Sequence, residues 1–122
     1  MPTNRSKTKT SAFAPFDVVV VPFPYPDRLS KKRRPAVVIS APELSQDHGL
    51  VWLLMVTSAD NPRWDCDIAV SDLKGAGLPA LSLVRAAKIA TANADLNFRR
   101  IGKLSAKDAH AVATELKAFM AR

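Results

Sequence analysis

Residues 50–57 read LVWLLMVT and form the most apolar stretch of the chain. A run that is apolar at consecutive positions is typical of a strand covered on both faces, or of a short buried helix. Gly49 directly before the run and its β-branched and aromatic residues favour the strand. We therefore predict a central strand over residues 50–57, with the other strands of the sheet beside it.

Shorter apolar stretches predict the remaining strands. Residues 17–21, DVVVV, and residues 36–40, AVVIS, are rich in β-branched side chains and suit buried strands. Further strands are predicted at residues 66–70, within residues 80–90 and at residues 99–104. Prolines at positions 22, 24 and 26 lack the amide hydrogen that a sheet ladder needs, so the chain is expected to leave the sheet there.

Turns and one helix complete the predicted plan. Residues 41–49 are polar and turn-like, and residues 74–77, KGAG, mark another turn. Ser105 precedes Asp108 by three residues, the spacing of a capping box at a helix start. Apolar residues then recur at spacings of three and four, at Ala109, Val112, Ala113, Leu116, Phe119 and Met120. The sequence therefore predicts a mainly β (α+β) fold of five to six short strands, in a small barrel or curled sheet, with a C-terminal helix.

Length and composition predict one compact domain. The chain has 122 residues, of which 48% are hydrophobic and 24% charged, and we expect residues 15–122 to fold as a unit behind a flexible basic tail at 1–14. No apolar run is long enough for a membrane helix, so a cytoplasmic protein without membrane contact is expected. The single cysteine excludes a disulfide framework, and two histidines make a histidine-rich metal centre unexpected. We expect no metal and no organic cofactor.

The excess positive charge is concentrated in two places. Eighteen basic and eleven acidic residues give a net charge of +7. Eight of the basic residues lie in the tail or in one loop: Arg5, Lys7, Lys9, Arg28, Lys31, Lys32, Arg33 and Arg34. Without these eight, the body of the domain is close to neutral. A localised cationic patch indicates a polyanion partner such as nucleic acid, although a solvated basic loop kept for solubility gives the same pattern.

Arg34 and Thr57 are the leading site candidates that the residues themselves offer. Arg34 stands directly before a predicted buried strand, where its planar fork of donors is held at a fixed point and suits phosphate oxygens. Thr57 and Ser58 end the central strand and can donate to a phosphoryl oxygen, or they can simply form a cap or turn. Arg33 should point away from Arg34, because side chains alternate along an extended chain.

Weaker candidates lie in the loop and strand that follow. Trp64 can stack on a base, or it can pack at the edge of the core. Asp65 and Asp67 could face one side of a strand as a carboxylate pair, but no third ligand accompanies them. Cys66 is interpreted as a small buried hydrophobic residue. The two histidines, His48 and His110, are expected at the surface.

Five stretches, in this order, resemble the MazF/PemK (Kid) toxins of type II toxin–antitoxin systems. They are DVVVVPF at residues 17–23, KRRPAVVIS at 32–40, MVTS at 55–58, LVRAAKIAT at 83–91 and RRIGKLS at 99–105. The resemblance covers the chain from about residue 16 to its end. It implies a small SH3-like barrel, CcdB/MazF-like, that forms a homodimer. It also implies metal-independent endoribonuclease activity on single-stranded RNA.

The resemblance assigns roles to individual residues. Arg34 and Thr57, with Ser58 beside them, fall at the cleavage site, where the ribose 2′-hydroxyl attacks the phosphate. The expected RNA contacts are Arg28, Lys31, Lys32, Arg33, Trp64 and Lys88. The implied partners are a cognate antitoxin with an acidic disordered segment and, in complex with it, operator DNA.

Three features depart from the family pattern. Many members carry glycine where this chain has Phe16, the first loop is rich in proline rather than glycine, and no histidine stands near the first strand. These departures keep an alternative open, namely a module of the same fold that binds nucleic acid without cutting it or inhibits gyrase as the CcdB toxins do.

Overall fold

The computed structural model describes residues 13–22, 33–95 and 98–121, which form six strands and three helices. The strands are β1 (Asp17–Pro22), β2 (Arg33–Val38), β3 (Leu50–Ser58), β4 (Asp67–Ala69), β5 (Ser82–Asn93) and β6 (Arg99–Lys103). They pair in the order β4-β5-β3-β2-β1-β6, and every described pairing is antiparallel. The predicted central strand and the mainly β, α+β fold class are thus confirmed.

The helices are α1 (Pro42–His48), α2 (Leu73–Ala76) and α3 (Ala106–Phe119). The prediction of a turn over residues 41–49 is wrong, because α1 occupies most of that stretch. Pro42 stands in its first turn, and Gly49 ends it in the left-handed conformation, with a φ of 68°. None of the helices in the described part of the chain is long and apolar enough to cross a membrane.

The predicted turn over residues 74–77 overlaps the single-turn helix α2. Asp72 caps this helix by accepting a hydrogen bond of 3.0 Å from the amide of Gly75. Gly77 ends it with a φ of 74°.

The start of α3 confirms half of the predicted capping box. Ser105 Oγ accepts a hydrogen bond of 3.2 Å from the amide of Asp108. The buried carboxylate of Asp108 does not return the bond to Ser105. It accepts from the amide and the hydroxyl of Ser71, at 2.8 and 2.9 Å. Asp108 therefore ties α3 to the segment between β4 and α2 instead of completing a local box.

The apolar run of β3 is buried on both faces of the sheet. Leu54 and Val56 point into a core that Val112 of α3 joins. Leu53 and Met55 alternate with them and point into a second core on the opposite face. The side of the sheet that carries this second core is called the Met55 face below. Two-sided burial explains why the run shows no alternation of polar and apolar residues.

The two ends of the strand order approach each other through α2. This helix follows the edge strand β4 along the chain and packs on β6, the strand at the other end of the order. The contact is close, because a Cβ atom at Gly102 would overlap the backbone of Ala76. The sheet is therefore curled around the core that contains α3.

The backbone at Phe16 is left-handed, with a φ of 73°. This conformation favours glycine over residues that carry a side chain. Phe16 is held by hydrogen bonds from its amide to the Val38 carbonyl (2.6 Å) and from the Leu104 amide to its own carbonyl (3.0 Å). Its ring packs against the core under α3. Packing thus retains a residue whose backbone conformation is unfavourable for a side chain.

Candidate active site

Arg34 and Thr57 lie on the Met55 face, at the same end of neighbouring strands. Arg34 pairs with Val21 and alternates in β2 with Ala36, whose side chain points into the second core. Thr57 follows Met55 by two residues in β3 and therefore shares its face. The last described pair between β2 and β3 joins Ala36 to Met55, so Arg34 and Thr57 each lie two positions beyond it. A guanidinium and a hydroxyl thus lie just beyond the last described pair of these two strands.

Lys88 lies on β5, the other neighbour of β3. It lies one position before Ile89, which pairs with Leu54, and two positions before Ala90, which packs against the second core. The side chain of Lys88 is exposed. The register between β3 and β5 shifts immediately after the Leu54–Ile89 pair, so β5 is irregular at Lys88.

Ser58 and Arg33 fall on the other face of the sheet. Each is adjacent in its strand to a residue on the Met55 face, and strand alternation turns it away. Ser58 Oγ accepts a hydrogen bond of 3.1 Å from the amide of Asp60 and so forms a local turn. The structure therefore does not bring Ser58 to Arg34 and Thr57.

The other predicted contacts of the basic loop, Arg28, Lys31 and Lys32, lie outside the described residues, as do the tail residues Arg5, Lys7 and Lys9.

The hydroxyl of Thr57 has a partner that the sequence analysis missed. Asn61 Nδ2 donates a hydrogen bond of 2.6 Å to Thr57 Oγ1. The four-residue spacing across an Asn-Pro loop was the signal available for it, since asparagine in loops commonly bonds to nearby groups. Because Asn61 occupies a lone pair of Oγ1, the Thr57 hydroxyl can still donate its hydrogen to another acceptor.

A buried ion pair between Asp67 and Arg85 stands beside this site. Arg85 Nε and Nη2 donate to the two oxygens of Asp67 at 3.0 and 2.8 Å, and the Asp67 side chain is 0% exposed. The two residues pair directly across β4 and β5. Arg85 also alternates with Leu83, which pairs with Thr57, so the ion pair and Thr57 share one face. Sequence reasoning missed Arg85 as a site residue.

Trp64 is held at the surface by the same ion pair. The Arg85 guanidinium carbon lies 4.0 Å from the centroid of the Trp64 ring, and the Trp64 amide donates to Asp67 Oδ2 at 2.8 Å. The side chain remains 44% exposed. It packs on a cation outside both apolar cores, which leaves ring surface for contact with another molecule.

The predicted carboxylate pair of Asp65 and Asp67 is not formed as a shared site. Asp67 is buried against Arg85, whereas Asp65 is exposed. Among the residues that the structure describes, no three His, Cys, Asp or Glu side chains are grouped so that they could hold a metal ion. Cys66 is buried, and His48 and His110 are exposed.

The ion pair sets the charge state of both partners. Burial by itself raises the pKa of Asp67, but the hydrogen bonds from Arg85 and from the Trp64 amide outweigh it, so the net pKa lies below the usual range of aspartate. The hydrogen bonds to Asp67 raise the pKa of Arg85 above its usual value. Both groups are therefore charged at neutral pH.

The lowered pKa of Asp67 predicts a loss of stability in acid. A carboxylate whose pKa is lower in the folded state stabilises the fold above its ordinary pKa, and this stability is lost as the pH falls from about 4 through the folded value. We expect the free energy of unfolding, measured in urea between pH 6 and pH 3, to fall less steeply for Asp67→Asn than for the natural chain. Equal slopes in the two proteins would contradict a contribution from Asp67.

Comparisons of sequence and of structure find the same group of proteins. A sequence model of a family described as PemK-like, MazF-like toxin of type II toxin–antitoxin system matches residues 14–120. A search of curated proteins finds no match. The solved structures that are similar include MazF (form I) from Deinococcus radiodurans, with a TM-score of 0.70 at 19% identity, covering 88% of this chain and 96% of that one.

Two further similar structures contain antitoxins. The MazE–MazF complex (form II) from Deinococcus radiodurans gives a TM-score of 0.68 at 18% identity, covering 88% of this chain and 94% of that one. An endoribonuclease in complex with its cognate antitoxin, from a Mycobacterial species, gives 0.68 at 17% identity, covering 88% and 93%. At these identities the likeness shows a shared fold, and the family match over residues 14–120 accounts for it.

Proposed function

The chain belongs to the PemK-like, MazF-like family of toxins of type II toxin–antitoxin systems, and from this premise we propose that it is a metal-independent endoribonuclease that cuts single-stranded RNA. The observation that carries the proposal is the placement of Arg34 and Thr57 on one face of adjacent strands, with the exposed Lys88 on β5, the other neighbour of β3. Two cations on either side of a hydroxyl suit a phosphodiester, whose charge they balance and whose oxygens they can contact.

The proposed reaction uses the RNA's own nucleophile. The ribose 2′-oxygen loses its proton and attacks phosphorus, and the bond from phosphorus to the 5′-oxygen breaks. The 5′-oxygen takes up a proton, which leaves a 2′,3′-cyclic phosphate and a 5′-hydroxyl. Arg34 stabilises the negative charge that builds up on the phosphoryl oxygens, because its guanidinium stays charged and is a poor base. Thr57 donates to one of those oxygens.

The other predicted RNA contacts would bind the strand beyond the cleaved phosphate. Arg28, Lys31, Lys32 and Arg33 belong to a basic stretch next to Arg34 and would bind phosphates along the strand. Trp64, braced by Arg85, would stack on an unpaired base.

A cognate antitoxin is the proposed protein partner. Similar structures are complexes of MazF with MazE and of an endoribonuclease with its antitoxin. An acidic disordered antitoxin segment suits the basic loop by charge and would compete with RNA. We propose that the toxin acts in the cytoplasm as a homodimer and that its antitoxin complex binds operator DNA.

The experiment that tests the nuclease proposal is incubation of the purified chain with a long single-stranded RNA in EDTA. We expect discrete cuts whose upstream fragments end in a 2′,3′-cyclic phosphate and whose downstream fragments begin with a 5′-hydroxyl. Cleavage that stops in EDTA, or fragments with 5′-phosphates, would overturn the mechanism. Binding of RNA without any cutting would favour the non-catalytic alternative.

A further inference from the structure

We propose that Asn61 is a positioning residue for Thr57, fixing its hydroxyl as a donor toward the scissile phosphate; this inference rests on the proposed nuclease function. The observation behind it is the hydrogen bond of 2.6 Å from Asn61 Nδ2 to Thr57 Oγ1, a contact between two side chains at the candidate site.

The direction of this bond determines what the hydroxyl can do. A threonine hydroxyl has one hydrogen to donate and two lone pairs to accept with. Because the amide of Asn61 donates, it occupies a lone pair and leaves the hydrogen for another acceptor. A hydroxyl that accepts a hydrogen bond also becomes a somewhat stronger donor. Thr57 is thereby prepared to donate on the face that it shares with Arg34.

The backbone holds Asn61 in this position from the N-terminal side. Its amide donates to the Ser58 carbonyl at 3.0 Å, which closes a tight turn directly after β3. The Ser58 hydroxyl reinforces the turn by accepting from the Asp60 amide at 3.1 Å. Ser58 therefore contributes to the site as the residue that forms this turn.

The buried ion pair holds the loop from the C-terminal side. Arg85 Nη2 donates to the carbonyl of Pro62, the residue after Asn61, at 2.9 Å. The same guanidinium is bound by both oxygens of Asp67, so its position is well determined. Asn61 is thus fixed on both sides although its own side chain is exposed. Because the backbone on both sides of Asn61 is held, only the rotation of its side chain has to be fixed when it orients Thr57.

A double-mutant cycle tests the coupling between Asn61 and Thr57. We expect Asn61→Ala to lower kcat/KM for RNA cleavage about 10-fold, mainly through kcat, since the loss falls on a bond to the reacting phosphate. In the Thr57→Val background the same substitution should change cleavage less than about 2-fold, because Asn61 then has no hydroxyl to orient. Equal effects in the two backgrounds would overturn the proposal.

Asn61→Asp separates the donor role from a role in shaping the turn. Aspartate suits a loop as well as asparagine does, but its carboxylate cannot donate to Thr57 and would instead accept the hydroxyl hydrogen. We expect Asn61→Asp to cleave more slowly than Asn61→Ala while unfolding at a similar temperature. The matched control is Asp60→Ala in the same turn, which should cost less than about 2-fold. Cleavage by Asn61→Asp at the natural rate would contradict the donor role.

Binding of an uncleavable ligand distinguishes failure of this inference from failure of the proposed function. A pool of 2′-O-methylated single-stranded RNA has no 2′-nucleophile and is not cleaved. Its affinity can therefore be measured for the four proteins of the cycle: the natural chain, Asn61→Ala, Thr57→Val and the double variant. We expect Asn61→Ala to weaken binding about 3-fold in the natural chain and to have no effect beside Thr57→Val. If the natural chain cuts no RNA but the binding cycle shows this coupling, the nuclease proposal fails, and what stands is that Asn61 positions Thr57 for contact with an RNA phosphate. Additive effects on binding and on cleavage would sink the positioning role itself.

Discussion

Arg34→Ala is expected to lower RNA cleavage about 10²- to 10³-fold, the loss typical of removing a group that stabilises transition-state charge. Arg34 is exposed in β2, so the variant should fold normally. Cleavage is measured with the same single-stranded RNA in EDTA, and folding by thermal denaturation. Arg34→Lys should recover only part of the rate, because an ammonium keeps the charge but lacks the planar fork.

The matched control for Arg34 is its neighbour. Arg33→Ala removes the same charge from an exposed position in the same strand, but on the other face. If only the net positive charge of this segment matters, the two alanine variants will lose activity equally. That result would contradict a catalytic role for Arg34. A small loss for Arg33→Ala, together with a large one for Arg34→Ala, would support catalysis on the Met55 face.

Arg85→Ala is expected to lower the free energy of unfolding by about 3–5 kcal/mol, the cost of removing one partner from a buried ion pair. The change leaves the fully buried carboxylate of Asp67 without its two guanidinium bonds, and it removes the cation under Trp64. Urea denaturation at pH 7 measures the loss.

Two comparisons test whether this loss comes from burial. Arg100 also pairs with a buried aspartate, Asp17, at 3.4 Å, but the Arg100 side chain is 58% exposed, and without it Asp17 keeps Lys103 at 3.5 Å and the Ala14 amide at 2.9 Å as partners. Arg100→Ala should therefore cost less than about 1 kcal/mol. Replacing both members of the buried pair, as Arg85→Met with Asp67→Leu, should restore much of the stability lost in Arg85→Ala, because no uncompensated charge remains. Equal losses for Arg85→Ala and Arg100→Ala would contradict this account.

The double replacement also bears on the site itself. It should restore stability without restoring the hydrogen bond from Arg85 to the Pro62 carbonyl, which holds the loop that carries Asn61. A stable double variant that cleaves RNA poorly would therefore separate the two contributions of Arg85, one to the fold and one to the orientation of Thr57.

Features whose signals are local in the chain could be predicted from the sequence. The apolar run at residues 50–57 is long enough to need cover on both faces, and it forms the central strand. Ser105 marks the start of α3 because its hydroxyl accepts a bond from a residue only three positions away. Alternation along an extended chain was sufficient to separate Arg34 from Arg33. The helix α1 was missed because its N-cap residue, Ala41, offers no side-chain hydrogen bond.

Contacts between segments that are distant in the chain depended on the tertiary structure, because the register of the sheet brings these segments together. Asp67 and Arg85 are 18 residues apart, and they meet because β4 and β5 pair in one particular register. Ser71 and Asp108 are 37 residues apart and meet because α3 packs beside β4. The residue types themselves determined which chemistry was available, a guanidinium and a hydroxyl near a basic loop. The register of the sheet decided which of these groups share a face, because a shift of one residue would turn every side chain of a strand to the opposite side.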